Sequence, residues 1–147
     1  MDIDELRRQH ADVIAIAEQL AEAVADDTQP RSVSALRWRL ARLLLAHLAI
    51  EDDHFYPAML ARGNAAARAT ASRFQSEMGT LSAAFTRYMA AWTDPEIAAQ
   101  WPRFCVETRA ILAALGRRVE QENVLLYPLA PPDWHRRSRV LPSRTSA

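Results

Sequence analysis

Two segments of the chain carry residue types at spacings that suit metal coordination. The first, HLAIEDDHFYP, covers residues 47–57, and the second, RVEQENVLLYP, covers residues 118–128. His47 and Glu51 stand four residues apart, so on a helix an imidazole and a carboxylate share one face about one turn apart. Imidazole nitrogen and carboxylate oxygen are suitable ligands for iron, zinc or manganese. The first segment therefore predicts ligands for a small cation.

The second segment repeats the first in register. The matched pairs are Glu51 with Glu122, Tyr56 with Tyr127, and Pro57 with Pro128. The segments differ at the position four residues before the glutamate, where the second has Arg118 and the first has His47. The sequence thus predicts two similar helix ends, of which only one carries an imidazole.

Four amphipathic stretches position these residues. Apolar residues at helical spacing predict helices over about residues 2–25, from Arg31 or Ser32 to Tyr56 with one more turn before Gly63, from after Asn64 to Trp92, and from Pro95 or Pro102 to Tyr127. Half of the residues are apolar and only three are glycine, a composition that favours long helices. Because the connections are short, we predict an all-α fold, an antiparallel up-down-up-down four-helix bundle.

His10 lies on the apolar stripe of the first helix. It stands about 16 residues before the end of that helix and His47 about 16 residues after the start of the next, so both lie roughly 24 Å from their shared turn. Met78 and Arg118 fall at nearly the same height on the other two helices. We therefore expect one layer of the bundle to receive a side chain from each helix.

Charge and composition argue against several partners. Acidic and basic residues number 18 each, so no net field attracts nucleic acid or an anionic membrane. No stretch is long and apolar enough to span a bilayer or to act as a signal peptide. The single Cys105 cannot form an intramolecular disulfide. We expect a cytoplasmic protein with no nucleic-acid or membrane partner.

The chain divides at about residue 130. Residues 1–130 contain the predicted bundle, and residues 131–147 are rich in Pro, Arg and Ser without periodicity. We predict that this tail is a flexible appendage unless Trp134 docks on the bundle.

These motifs resemble those of the haemerythrin-like, or HHE cation-binding, family. The family pattern is a His in helix 1, H-x3-E before Y/F-P in helix 2, a His in helix 3, and a second H-x3-E before F/Y-P in helix 4. The resemblance covers roughly residues 2–128. It implies that His10, His47, Glu51 and Glu122 are metal ligands, with the two carboxylates bridging two irons.

Two positions depart from the family pattern. Glu77 and Met78 stand where the family has an acidic residue and then His, and Arg118 replaces the helix 4 His. Both losses fall on one iron, which predicts a single ion, iron first and zinc or manganese as alternatives, with one open position. We expect the Arg118 guanidinium to replace the second cation and to pair with both Glu51 and Glu122.

Four further side chains receive lesser roles. Met78 is predicted to fill the core rather than to bind metal. Glu77 lies one position off the apolar stripe and is predicted to be solvated, although it is the nearest replacement carboxylate. Tyr56 and Tyr127 are predicted to close the bundle end, with hydrogen bonding to the ligands as the alternative role.

Three functions follow from these residues. The first is a non-haem metal-binding protein whose site has lost ligands and holds one ion. It acts in metal, redox or small-gas sensing, with dioxygen or another small gas as its partner. The second is a metal-free bundle that serves as an interaction or regulatory module for a protein partner that the sequence does not identify, its core held by Arg118 and the carboxylates. The third is an oxidase- or peroxidase-like enzyme with one iron, which the missing ligands disfavour. No catalytic residue is predicted.

Overall fold

The computed structural model describes residues 1–135, and every regular element within them is helical. The α-helices are α1 (Ile3–Ala23), α2 (Ser34–Ile50), α3 (Tyr56–Arg62), α4 (Ala65–Ala91), α5 (Asp94–Ala99) and α6 (Trp101–Gln121). Two π-helical turns cover Glu51–Phe55 and Glu122–Leu126, and two 3-10 turns cover Tyr127–Leu129 and Pro132–Trp134. The predicted all-α class is confirmed.

Residues read from the sequence as helix boundaries begin the helices. The Asp2 side chain caps α1 by accepting from backbone N–H groups of its first turn. Asn64 caps α4 in the same way, as its position after Gly63 predicted. The two prolines considered as alternative starts of the last helix both begin helices, Pro95 in α5 and Pro102 in α6.

A π-helical turn precedes each Tyr-Pro pair. The backbone N–H of Tyr56 donates to the carbonyl of Glu51, five residues back, and Tyr127 donates to Glu122 in the same way. The following proline has no N–H, and its ring would clash with the carbonyl four residues back in a regular helix. The wider turn relieves this conflict while the chain stays helical. It also brings both glutamates to equivalent positions.

The long helices bury two apolar clusters, one on each side of a polar layer. The larger cluster fills most of the space between the long helices, and the smaller one lies at the Tyr-Pro end. α1 packs on α2 and α6, and α4 packs on α3 and α6. On α1, His10 falls between Leu6 of the smaller cluster and Val13 of the larger one. The polar layer is therefore enclosed by hydrophobic core.

Trp134 docks on the bundle. The sequence predicted a flexible tail unless this residue docked, and the start of the tail is held against the bundle. The Trp134 side chain is 4% exposed, and its ring centroid lies 6.0 Å from that of Phe55. The Arg62 guanidinium lies over the indole ring and donates to Asp133 at 2.9 Å. Residues 136–147, for which the sequence predicted flexibility, lie outside the described residues.

The outer face of α1 is polar, whereas that of α2 also exposes Trp38 and Leu45. On α1, for example, Glu5, Arg8 and Asp12 are exposed. Within residues 1–135, no helix has both the length and the apolar character that crossing a bilayer requires. Cys105 is fully buried on α6.

Candidate metal centre

Two histidines and two glutamates converge inside the bundle. They are His10 of α1, His47 near the end of α2, and Glu51 and Glu122 at the starts of the two π-helical turns. One ligand atom from each lies within 4.8 Å of the others, and no side chain of the four is more than 3% exposed. The structure thus brings together the four residues that the family resemblance implied.

Two side-chain amides orient the imidazoles. His10 Nδ1 lies 2.8 Å from Asn123 Oδ1, and His47 Nδ1 lies 2.8 Å from Gln9 Oε1. Because an amide oxygen only accepts hydrogen bonds, each Nδ1 carries the hydrogen and donates it. Each Nε2 points into the cluster and, in the neutral imidazole, carries the lone pair, which is the arrangement that metal-bound histidines adopt.

The imidazole lone pairs face carboxylate oxygens. His10 Nε2 lies 3.0 Å from Glu122 Oε2, and His47 Nε2 contacts Glu51 Oε1. Both oxygens of Glu51 are buried, and neither accepts a hydrogen bond from the described residues. Two electron-rich atoms at such distances repel each other unless a proton or a cation lies between them. The four residues therefore fit a cation.

Burial changes the acid-base behaviour of this cluster. Burial, and secondarily the nearby His10, lowers the pKa of His47 to about 3, so the imidazole stays neutral and able to bind metal. Burial, and then the charge of Glu122, raises the pKa of Glu51 well above its usual range. Without a cation, Glu51 therefore retains a proton at pH values where an exposed glutamate is ionised.

Two buried tyrosine hydroxyls face the same cluster. The Tyr127 hydroxyl lies 3.1 Å from His10 Nε2, 3.5 Å from His47 Nε2 and 3.4 Å from Glu122 Oε2. The Tyr56 hydroxyl donates to Glu122 Oε1 at 3.4 Å. Burial and the adjacent carboxylates raise the pKa of both phenols. The hydroxyls therefore act as hydrogen-bond donors while no cation is present.

Arg118 points away from the two carboxylates of the cluster. It donates to Glu77 Oε2 at 2.5 Å and to Gln121 Oε1 at 2.9 Å, and its guanidinium lies 4.4 Å from the centroid of the Phe74 ring. Among the described residues, no hydrogen bond joins it to either cluster carboxylate. The predicted forked pairing is thus corrected: the Arg118 side chain is buried, and the half-exposed Glu77 compensates its charge at lower desolvation cost than the fully buried Glu51 and Glu122 would.

The remaining predicted residues lie beside the site. Met78 is 4% exposed and belongs to the larger apolar cluster, as expected for core packing. Glu77 is half exposed and pairs with Arg118. The sequence had predicted that Arg118 pairs with Glu51 and Glu122 instead.

Sequence reasoning did not find the two orienting amides. Gln9 directly precedes His10 but serves His47 across the helix pair, and Asn123 directly follows Glu122 but serves His10. The sequence signal for these partners was an amide residue next to a predicted ligand. This signal is weak by itself, because each amide contacts a histidine on a different helix.

A narrow crevice between α1 and α2 reaches the Gln9 side of His47. It has a volume of about 160 Å³, and His47 forms part of its wall together with Gln9, Asp12, Leu43, Ala46 and Ile50. Substrate pockets are larger, typically about 300–1,000 Å³. The crevice therefore suits a small inorganic molecule better than an organic substrate.

The chain belongs to the haemerythrin family. The model of the haemerythrin HHE cation-binding domain matches residues 1–130, which include all four clustered ligands and both Tyr-Pro segments. No curated protein and no solved structure matches the chain. The fold is helical and the buried His/Glu group is compatible with metal binding, in agreement with the family's cation-binding description.

Proposed function

We propose that this protein is a haemerythrin-like, non-haem metal-binding protein that holds a single ion, with iron as the first candidate and zinc or manganese as alternatives. One observation carries the proposal: two unprotonated imidazole nitrogens and two buried carboxylates face one another within 4.8 Å. This donor set suits these metals. Iron at this position would supply a redox-active centre able to bind a small gas.

The residues at the position of the family's second metal support the proposal of a single ion. Met78 and Arg118 occupy the positions of the other two histidines, and a guanidinium has no lone pair to give to a metal. Arg118 is already engaged by Glu77 and Gln121. The charge of this side chain nevertheless lies close enough to favour the ionised form of Tyr56, which makes a second cation beside it unfavourable.

The size of the crevice favours a sensing role over turnover of an organic substrate. A volume of about 160 Å³ beside His47 and Gln9 admits dioxygen or another small gas. We therefore include metal, redox or small-gas sensing in the proposal. The cytoplasmic location stays a prediction of the sequence.

The antiparallel up-down-up-down topology of residues 1–130 is part of the same proposal. The contacts that support it join opposite ends of neighbouring helices: Gln9 with His47, Glu22 with Arg31, His10 with Asn123, Val24 with Arg109, Phe74 with Arg118, and Tyr88 with Thr108. Such an order places all four ligands in one layer.

Metal content tests the proposal directly. Protein purified without added metal, and again after anaerobic reconstitution with ferrous iron, is analysed for bound elements. We expect about one ion per chain in the wild type and none in His47→Ala, because a lost ligand opens the site. His54→Ala is the matched control, since His54 is exposed and three residues beyond Glu51. Absence of metal after reconstitution would refute the proposal.

The metal-free interaction module has less support. It required Arg118 to neutralise Glu51 and Glu122, whereas the guanidinium pairs with Glu77. Both Glu51 oxygens are left without a donor among the described residues. A chain that binds no metal but folds stably would favour this module over the metal-binding function.

A further inference from the structure

Tyr127 differs from its counterpart Tyr56 in what its hydroxyl touches. The Tyr127 hydroxyl lies within 3.5 Å of the Nε2 atoms of both histidines and also of Glu122 Oε2. The Tyr56 hydroxyl has a single hydrogen bond, to the other oxygen of Glu122. The two matched segments of the sequence make the two tyrosines look equivalent, yet among the described residues it is Tyr127 whose hydroxyl also approaches both imidazole Nε2 atoms.

The spacing around the Tyr127 hydroxyl is that of atoms sharing one metal ion. Ligand atoms at bond lengths of about 2.1 Å lie about 3.0 Å apart along an octahedral edge and about 3.4 Å apart along a tetrahedral edge. The hydroxyl lies 3.1 Å from His10 Nε2, 3.5 Å from His47 Nε2 and 3.4 Å from Glu122 Oε2. The direct separation of His10 Nε2 from Glu122 Oε2, 3.0 Å, falls in the same range.

We propose that Tyr127 is a further ligand of the metal and binds ferric iron through its phenolate oxygen. This inference rests on the proposed function and extends its ligand set beyond His10, His47, Glu51 and Glu122. As the oxygen–iron bond forms, the O–H bond of the phenol breaks and its proton leaves to solvent.

The position of Tyr127 favours ligation over a purely packing role. Its ring is fully buried, and it stacks on the His10 ring with centroids 5.1 Å apart and an interplanar angle of 14°. Phe55 packs on its edge, 5.4 Å away. These contacts fix the ring, so the hydroxyl is held among the ligand atoms without a change of rotamer. A phenolate is a hard anionic donor and stabilises ferric over ferrous iron, which suits a redox-sensing site.

The visible spectrum of the iron-loaded protein tests the inference. Phenolate bound to ferric iron gives a charge-transfer absorption band, and resonance Raman excitation within that band enhances ring vibrations of the phenolate. Imidazole and carboxylate ligands give neither signal. We expect both signals in the ferric wild type, loss of both in Tyr127→Phe with iron affinity reduced on the order of 10–100-fold, and retention of both in Tyr56→Phe.

The possible outcomes separate this inference from the proposed function. Iron bound by the wild type without the band would overturn Tyr127 ligation and leave metal binding intact, whereas no bound iron would overturn both. Loss of the band in Tyr56→Phe but not in Tyr127→Phe would show that Tyr56 is the phenolate ligand and would overturn the proposal for Tyr127. Should Tyr127→Phe fail to fold, ring-deuterated tyrosine in the wild type provides a second test, since unshifted Raman bands would refute phenolate ligation.

Discussion

The two Tyr-Pro segments share a backbone and differ in chemistry. Each contains a π-helical turn that begins at a fully buried glutamate and ends before a fully buried tyrosine. Four residues before the glutamate, His47 contacts Glu51, whereas Arg118 reaches out to Glu77. Similar backbones therefore do not ensure similar ligand sets, because one side chain in each segment decides whether a metal has a nitrogen donor there.

The direction of each side chain explains the difference. The imidazole is short, and its hydrogen bond to Gln9 fixes its free nitrogen toward the cluster. The guanidinium is long, stacks on Phe74 and ends at a carboxylate that is half exposed. The Arg118 side chain is itself buried, 7% exposed, so its charge is compensated by Glu77 and Gln121 rather than by solvent.

Placing histidines at positions 78 and 118 should produce the largest change in metal content. In the double variant Met78→His and Arg118→His, the missing nitrogens are restored and the fixed positive charge is removed, so we expect about two metal ions per chain instead of about one. Elemental analysis after reconstitution measures this change. Arg117→His, at the exposed neighbouring position, is the control and should leave the content unchanged. A folded double variant that still binds one ion would contradict the assumed ligand layer.

Removing the orienting amides should weaken the first segment without removing a ligand. In Gln9→Leu and in Asn123→Leu, an imidazole loses the acceptor of its Nδ1 hydrogen, and we expect metal affinity to fall on the order of 10–100-fold. Competition with a chelator of known affinity gives the ratio. Gln19→Leu, at an exposed position of α1, serves as the matched control. Equal affinity in all three variants would show that the amides do not orient the ligands.

Neutralising Glu51 should stabilise the metal-free protein while removing its metal affinity. The pKa of Glu51 is raised by folding, so the metal-free wild type loses stability as pH rises above about 4.5, the value of an unperturbed glutamate. Glu51→Gln has no such loss and can donate to a neighbouring acceptor. We expect it to unfold at higher urea concentration than the wild type, by about 1–2 kcal/mol at neutral pH.

At acid pH, the wild type and Glu51→Gln should show the same dependence of stability on pH. The pKa of His47 falls to about 3 on folding, so stability is lost as pH decreases from about 6.5, the unperturbed value, toward about 3. Urea unfolding of metal-free protein from pH 3 to pH 8 covers both limbs. A wild type whose stability keeps rising above pH 6.5 would contradict the assignment of a buried, protonated Glu51.

Disrupting the ion pair of the second segment should have the smallest effect. Glu77 is half exposed, and Arg118 keeps its contacts with Gln121 and Phe74 when that carboxylate is lost. We expect Glu77→Gln to cost about 1 kcal/mol, because glutamine keeps an acceptor oxygen for the buried guanidinium, and to leave the metal content unchanged. Thermal unfolding and elemental analysis test both expectations. Loss of metal in this variant would show that Glu77 belongs to the site.

Much of the fold could be predicted from local sequence. Apolar spacing gave the helices, and the Asn64 cap and the prolines at 95 and 102 gave their starts, because these signals act within one turn of helix. The π-helical turns were not predicted, although the repeated Glu-x4-Tyr-Pro pattern marked where they occur. Arg37 was also missed. It lies on the apolar stripe of α2 and is 2% exposed, with its guanidinium between the rings of Tyr88 and Phe104.

The four clustered residues could be proposed from the sequence because the family pattern and the helix heights agree. Their hydrogen-bond partners could not, since Gln9 and His47 are 38 residues apart and His10 and Asn123 are 113 apart. Side-chain contacts over such separations depend on helix rotation and rotamer choice, which no local signal specifies.

The sequence by itself determined the residue types and the two matched segments, because these are properties of spacing along each helix. The tertiary structure alone decided where each side chain points. It directs Arg118 to Glu77 rather than to Glu51 and Glu122, and it places the Tyr127 hydroxyl, but not that of Tyr56, among the imidazole nitrogens. These differences arise from packing between helices, where a rotation of a few degrees or one rotamer exchanges one neighbour for another.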